Sequence, residues 1–249
     1  MADTILQYNN KLFAFDGQYI RVPGAGAPTP VVPTEGLVAK YLMEDNLTDG
    51  TGTYSLTGAP SSYVTGKVGK ASQWTGQESY NTALRTLTDS NNAHSISFWA
   101  KRSSASGVIF ASDGANNSPY KRMWITYSTD YISYQRYNAT TMGGVGGVGT
   151  SFNSLTFSTG VWYHFVIVYS GSEVYLYQDG VEKTQTSNAN WTTYKATTMS
   201  TGSTTSFVVV GNNQNNRSAY QGDLDQVYIY NRALTAIEVA TLYNSGTGL

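Results

Sequence analysis

Cysteine is absent from the 249 residues. That excludes disulfide staples, thiolate metal centres and cysteine nucleophiles. Histidine occurs only at positions 94 and 164. His164 sits inside an apolar run, where a hydrogen-bonded structural role is expected rather than a metal ligand. Charge is scarce: Asp, Glu, Lys and Arg make up 12% of the chain, about half the usual share. The 15 basic and 16 acidic residues leave a net charge of −1. With no basic excess and no basic run, a nucleic-acid partner is not expected. No apolar run approaches the roughly 20 residues of a membrane helix, so no membrane insertion is expected. The start MADTILQYNN lacks the basic-then-apolar pattern of a signal peptide. The expected location is extracellular or on a virion surface, reached by another route such as phage assembly and release by lysis.

Tyrosine (20) and glycine (25) are plentiful instead. Tyr and Thr favour strands, and strong helix formers are few, so the composition reads all-β. Polarity comes mainly from Ser, Thr, Asn, Gln and Tyr, a mixture suited to neutral ligands such as sugars. Ten strand-like runs are expected: Leu37–Met43, Lys70–Trp74, Ser95–Lys101, Gly107–Ser112, Arg122–Tyr127, Tyr131–Tyr137, Val161–Tyr169, Glu173–Gln178, Ser206–Gly211 and Gly222–Tyr230. Such spacing, broken by Gly, Asn, Ser and Asp turns, predicts an antiparallel two-sheet jelly-roll β-sandwich. One short C-terminal helix is predicted over Thr235–Tyr243, with Thr235 and Glu238 as a capping box. The Gly-rich run 143–149 reads as a flexible loop. It lacks the Lys and the strand–helix context of a phosphate cradle.

Three units are expected. Residues 1–22 read as an anchoring or oligomerisation segment, with a hairpin of Lys11–Phe15 and Gln18–Val22 about Asp16-Gly17. Residues 23–35 carry Pro23, Pro28, Pro30 and Pro33. They read either as a stiff Pro-rich linker or as an arm folded along the domain. Residues 36–249 form the sandwich.

Four blocks carry a family resemblance. Gly222-Asp-Leu-Asp-Gln-Val-Tyr-Ile-Tyr230, then Asn231-Arg-Ala-Leu234 and the helix to Tyr243, resembles the closing signature of laminin G-like domains in the concanavalin A-like lectin/glucanase superfamily. Gly160-Val-Trp-Tyr-His-Phe-Val-Ile-Val-Tyr169 through Asp179-Gly180 is similar to a hairpin of that family. Ser95-Ile-Ser-Phe-Trp-Ala100 resembles its central strand. Gly36–Leu42 followed by Asp49-Gly50 resembles its opening strand and loop. The resemblance implies a fold that hosts lectins, glycosidases, adhesion modules and decorations alike.

Glycosidases of the superfamily need a carboxylate pair flanking the scissile bond. No E-x-D-x-x-E motif is present, and Asp223 and Asp225 are the only i, i+2 carboxylates. The expectation is therefore no enzyme and no catalytic residue. Related domains often hold Ca²⁺ between the opening loop and the last strand. The resemblance places such an ion at Asp49 with Asp223 and Asp225; the alternative is that these carboxylates cap turn amides. Sugar binding calls for aromatic faces plus amides and charged groups. Three loop segments, 113–122, 190–194 and 212–220, offer that mixture: Asp113, Asn117, Tyr120 and Arg122; Trp191 and Tyr194; Asn213, Asn216, Arg217 and Tyr220. Tyr127, Tyr134 and Tyr137 are expected to line the sheet between them. The expected function is a non-catalytic, lectin-like head. It would recognise a cell-surface glycan or polysaccharide and join a larger assembly, such as a phage virion or fibre, through residues 1–22, with a homotrimer as one possible form. A purely structural decoration and a divergent glycosidase are the alternatives.

Overall fold

The computed structural model describes residues 4–8, 11–15, 20–21, 30–77, 79–81, 83–84, 92–112, 121–138, 148–187, 189–194, 207–210 and 219–249. At the N-terminus β1 (Thr4–Tyr8), β2 (Lys11–Phe15) and β3 (Ile20–Arg21) form a small antiparallel sheet of their own. Strands β2 and β3 pair across the Asp16-Gly17 region, with Phe15 opposite Ile20. β1 has no counterpart in the sequence reading.

Two antiparallel sheets make up the rest. In spatial order the first runs β17 (Thr186–Ser187), β13 (Val148–Phe152), β12 (Ile132–Asn138), β11 (Lys121–Tyr127), β10 (Gly107–Ser112), β18 (Phe207–Val210), β8 (Ser79–Asn81) and β5 (Thr57–Gly58). The second runs β16 (Val181–Lys183), β15 (Val174–Gln178), β14 (Tyr163–Tyr169), β9 (His94–Arg102), β19 (Gln221–Tyr230), β7 (Lys70–Thr75) and β6 (Ser62–Thr65). β4 (Leu37–Tyr41) also pairs with β19.

Alternation decides what lies between the sheets. From the second sheet Ile96, Phe98, Phe165, Ile167, Tyr169 and Leu224 point inward; Phe110, Met123, Ile125, Ile132 and Tyr134 meet them from the first. β19 carries a bulge between Asp225 and Tyr228, with Gln226 at φ 46°. The extra residue matters because Leu224 and Val227 both belong to this core. At odd spacing a regular strand would send them to opposite faces.

The outer face of the second sheet is sealed by α2 (Ala236–Tyr243). Its Val239 and Leu242 pack with Val166, Val168, Tyr177, Tyr228 and Tyr230. The expected capping box is present: Thr235 accepts from the Glu238 amide, and Glu238 accepts from the Thr235 amide at 2.8 Å. Glu238 also holds Arg232, which donates from Nε to the Glu35 carbonyl at 2.9 Å. Val32 packs on the same cluster, so the end of the Pro-rich stretch lies along the sandwich.

Two differences from the sequence reading stand out. Val148 and Gly149, read as part of a flexible loop, begin β13. Asn190–Tyr194, read as a loop, belongs to a six-residue helix, α1 (Ala189–Tyr194).

Candidate functional site

The outer face of the first sheet carries a polar row that alternation alone sets up. Met123, Ile125 and Tyr127 of β11 turn inward, so Trp124 and Thr126 turn out. Ile132, Tyr134 and Arg136 of β12 turn inward, so Ser133 and Gln135 turn out. Register places Thr126 opposite Ser133 and Trp124 opposite Gln135. The hydroxyls of Thr126 and Ser133, both buried, are 2.6 Å apart, and the half-buried Gln135 donates from Nε2 to Ser133 Oγ at 3.0 Å. Gln135 lies over Gly149 of β13: a Cβ on Gly149 would come within 2.9 Å of Gln135 Cγ. Glycine at that position makes room for the amide to lie along the sheet.

Beside this row is a cleft of about 210 Å³, lined by Ser106, Gly107, Val108, Thr126, Tyr127, Tyr131 and Gln135. No lining residue is charged. Val108, Ala111 and Trp124, with Tyr80 against them, form a buried apolar cluster on the same face. Ala219, where the described chain resumes after 211–218, bridges to Val108 at this cleft.

The residues singled out from sequence fall in several places. Asp113, Asn117, Tyr120, Asn213, Asn216 and Arg217 lie outside the described residues, as do the side chains of Arg122, Tyr137 and Tyr194. Trp191 is 1% exposed, with its ring set edge-on to Tyr134. Tyr220 is fully buried, donates to the Asp223 carbonyl at 3.0 Å and meets Tyr127 edge-on. Neither ring has a face free for a sugar, which corrects the expectation for both. Tyr134 is likewise interior, stacked on Tyr169 with its hydroxyl 3.2 Å from His94 Nε2. Tyr127 borders the cleft yet is 1% exposed, its hydroxyl 2.7 Å from Ser104 Oγ. Thr126, Ser133, Gln135 and Tyr131 were not singled out from sequence; for the first three the period-two pattern of Met123–Tyr127 and Ile132–Arg136 is the signal that marks their face.

The three carboxylates expected to hold calcium do not fit that ion. Asp49 Oδ1 accepts the amides of Lys40 (2.8 Å) and Thr51 (2.9 Å). Its Oδ2 accepts the Thr51 hydroxyl (2.5 Å) and the amides of Thr53 (3.1 Å) and Tyr54 (2.8 Å). Burial pushes this carboxyl up, but those bonds outweigh it and hold its pKa below the ordinary value. Asp223 Oδ2 pairs with Lys101 Nζ at 2.6 Å, and its Oδ1 accepts from Gln73. Asp225 Oδ2 accepts the amides of Lys67 (2.8 Å) and Val68 (2.9 Å). Only Asp225 Oδ1 is without a partner among the described residues. Burial lifts Asp225 to a pKa of about 7 against those amide bonds, and the charge of Glu44 adds to the lift. Among the described residues no three His, Cys, Asp or Glu side chains converge as a metal site. Asp49 is a loop clamp: a cation would have to displace donors that already fill its lone pairs.

A two-sheet antiparallel sandwich with an uncharged polar cleft on one outer face defines a class of binding and hydrolytic domains. The laminin G-like model of the concanavalin A-like lectin/glucanases superfamily matches residues 75–240, and the chain belongs to that superfamily. No curated protein matches it. Among solved structures, domain 4 of an extracellular arabinanase from Geobacillus stearothermophilus, in complex with arabinotriose, is similar. It has a TM-score of 0.58 and 23% identity, over 84% of this chain and 98% of that one. The binding domain of Paraclostridial Mosquitocidal Protein 1 reaches 0.62 at 18% identity, over 85% of this chain and 52% of that one. Trypanosoma rangeli sialidase with the inhibitor DANA gives 0.58 at 15% identity, over 99% of this chain. The chain spans 45% of the sialidase's length. At these identities the likeness is one of fold.

Proposed function

We propose that the protein is a non-catalytic carbohydrate-binding domain whose ligand enters the cleft on the outer face of the first sheet and meets Gln135 and Tyr131 there, with the buried Thr126–Ser133 pair holding Gln135 from behind. One observation carries this reading: a row of uncharged donors and acceptors, locked to one another across two strands beside an uncharged cleft. A sugar offers vicinal hydroxyls, which pair with fixed hydroxyl and amide groups. Its C–H face suits an aromatic ring such as Tyr131. The arabinanase domain bound to arabinotriose makes pentose oligosaccharides a rational first choice of ligand.

The absence of catalysis is part of the proposal. Asp223 and Asp225 belong to the other sheet, and each is engaged by Lys101 or by the amides of Lys67 and Val68. An extracellular setting accords with the arabinanase relative. The three-stranded N-terminal sheet is the part we assign to attachment, on a virion, a fibre or another assembly. Sedimentation of the full chain tests whether it forms a trimer.

Glycan-array binding of the native chain and of Gln135→Ala tests the reading. Arabino- or other neutral oligosaccharides are expected to bind, and Gln135→Ala to weaken them by on the order of tenfold at an unchanged melting temperature. Equal binding by both proteins would remove this face as the site.

A further inference from the structure

We propose a second carbohydrate cleft, at the end of the sandwich where β5 leads into β6, shaped for one uncharged sugar unit. It uses the ligand class proposed above but shares no residue with the first cleft.

The cleft has a volume of about 440 Å³, inside the range of roughly 300–1,000 Å³ typical of small-ligand sites. Leu47, Leu56 and Pro60 supply apolar surface; Ser61, Ser62 and Tyr63 supply hydroxyls. No lining residue is charged, so an ionic ligand would lose hydration without gaining a counter-charge. A sugar ring matches both halves of the lining, its C–H face against the aliphatic side chains and its hydroxyls against the serines and the tyrosine.

The walls are fixed before any ligand arrives. Asp49 clamps the loop to Tyr54 through its five bonds. The Leu56 amide donates to the Leu47 carbonyl at 3.1 Å, joining two lining segments. On the opposite wall the Ser61 amide donates to the Gln73 carbonyl at 2.8 Å. Ser61 Oγ donates to Gln77 Oε1 at 2.7 Å, and Ser62 Oγ donates to Gln73 Oε1 at 3.1 Å. Ser62 has thereby committed its one proton to Gln73, and Ser61 Oγ is engaged by both Gln77 and Thr75 Oγ1, the latter 2.7 Å away, so what each serine offers a ligand is a lone pair for a sugar O–H. Gly58 of the lining pairs in register with Ser79, whose buried hydroxyl has no partner among the described residues. A rigid, hydroxyl-bearing cleft of this kind loses little entropy on binding.

Two clefts on one domain would let a polysaccharide chain engage twice, so polymer should be retained more strongly than a short oligosaccharide. The test is an amide-resolved NMR titration of the full chain with arabinotriose, cellotriose and mannotriose at millimolar concentration. Three further proteins are titrated: Ala59→Trp, which fills this cleft from an exposed position; Ser62→Ala; and Gln135→Ala in the first cleft. At least one sugar is expected to shift the amides of Leu56, Ser61, Ser62 and Tyr63. Ala59→Trp should abolish those shifts, Ser62→Ala should weaken binding here by on the order of fivefold, and Gln135→Ala should leave them intact. Shifts here without any at Thr126 and Ser133 would support this cleft while removing the first. No shift at 47–63 with any of the three sugars, or shifts that survive Ala59→Trp, would overturn the proposal.

Discussion

His94 and His164 lie in the interior without charge. Burial pushes His94 down from 6.5 to about 4 and His164 to about 3. Both folded-state values lie below the unfolded one. Their contribution to stability is therefore present above pH 6.5 and is lost as pH falls through that range. Asp225 runs the other way. Its pKa is raised from 3.8 to about 7, so its contribution is full below pH 3.8 and is lost as pH rises through 7. Asp225→Asn keeps an acceptor for Lys67 and Val68 and removes the charge. Its melting temperature should exceed that of the native chain modestly at pH 5 and by more at pH 9; thermal melts at the two pH values check this, and a margin that fails to grow from pH 5 to pH 9 would refute it. Trp191 belongs to the same scale. As an interior ring, its replacement by alanine should cost about 3–5 kcal/mol, read by denaturant unfolding. Any loss of glycan binding should follow the loss of fold.

At the scale of elements, the loop after β4 depends on one side chain. Asp49→Ala would orphan the amides of Lys40, Thr51, Thr53 and Tyr54 together, at a cost on the order of 2–4 kcal/mol. Hydrogen exchange should report it, with faster exchange at 49–54 than at β9 or β14. The elements most legible in the sequence share that local character. The α2 capping box, the Asp179-Gly180 turn and the apolar runs of β9 and β14 each announce themselves within a few residues. The candidate site was less legible because what matters there is which face a residue takes. Tyr127 and Tyr134 attracted notice as tyrosines, yet parity sends them inward and turns the plainer Thr126, Ser133 and Gln135 to the sheet's other face. Trp191 misled for a related reason: Asn-Trp-Thr-Thr-Tyr reads as a polar loop until α1 turns the indole into the core. For the carboxylates the sequence left two readings open, an ion or capped amides: the partners of Asp49 lie within its own loop at Thr51, Thr53 and Tyr54, whereas those of Asp225, Lys67 and Val68, are distant in sequence.

At the scale of the whole molecule, two sheets share one core but differ in their outer faces. The second sheet is closed by α2, the strand–helix connection and the end of the Pro-rich segment. On the first, Val108, Ala111, Trp124, Thr126 and Ser133 are buried as well, and the cleft reaches solvent beside Tyr131 and Gln135. That asymmetry follows from the sequence after β19, where Leu234, Val239 and Leu242 bring a helix down over Tyr228 and Tyr230 and commit that side to packing. The cleft is lined by uncharged residues on a chain of net charge −1, so sugar binding there should change little with salt. The central claim is that this face binds a neutral glycan and leaves it unchanged. The most direct measurement is an overnight NMR titration of the labelled chain with the strongest glycan-array ligand, following protein amides and sugar anomeric signals together. The account predicts shifts centred on Thr126, Tyr131, Ser133 and Gln135 with constant anomeric signals. An unperturbed first sheet, or the appearance of new reducing ends, would contradict it.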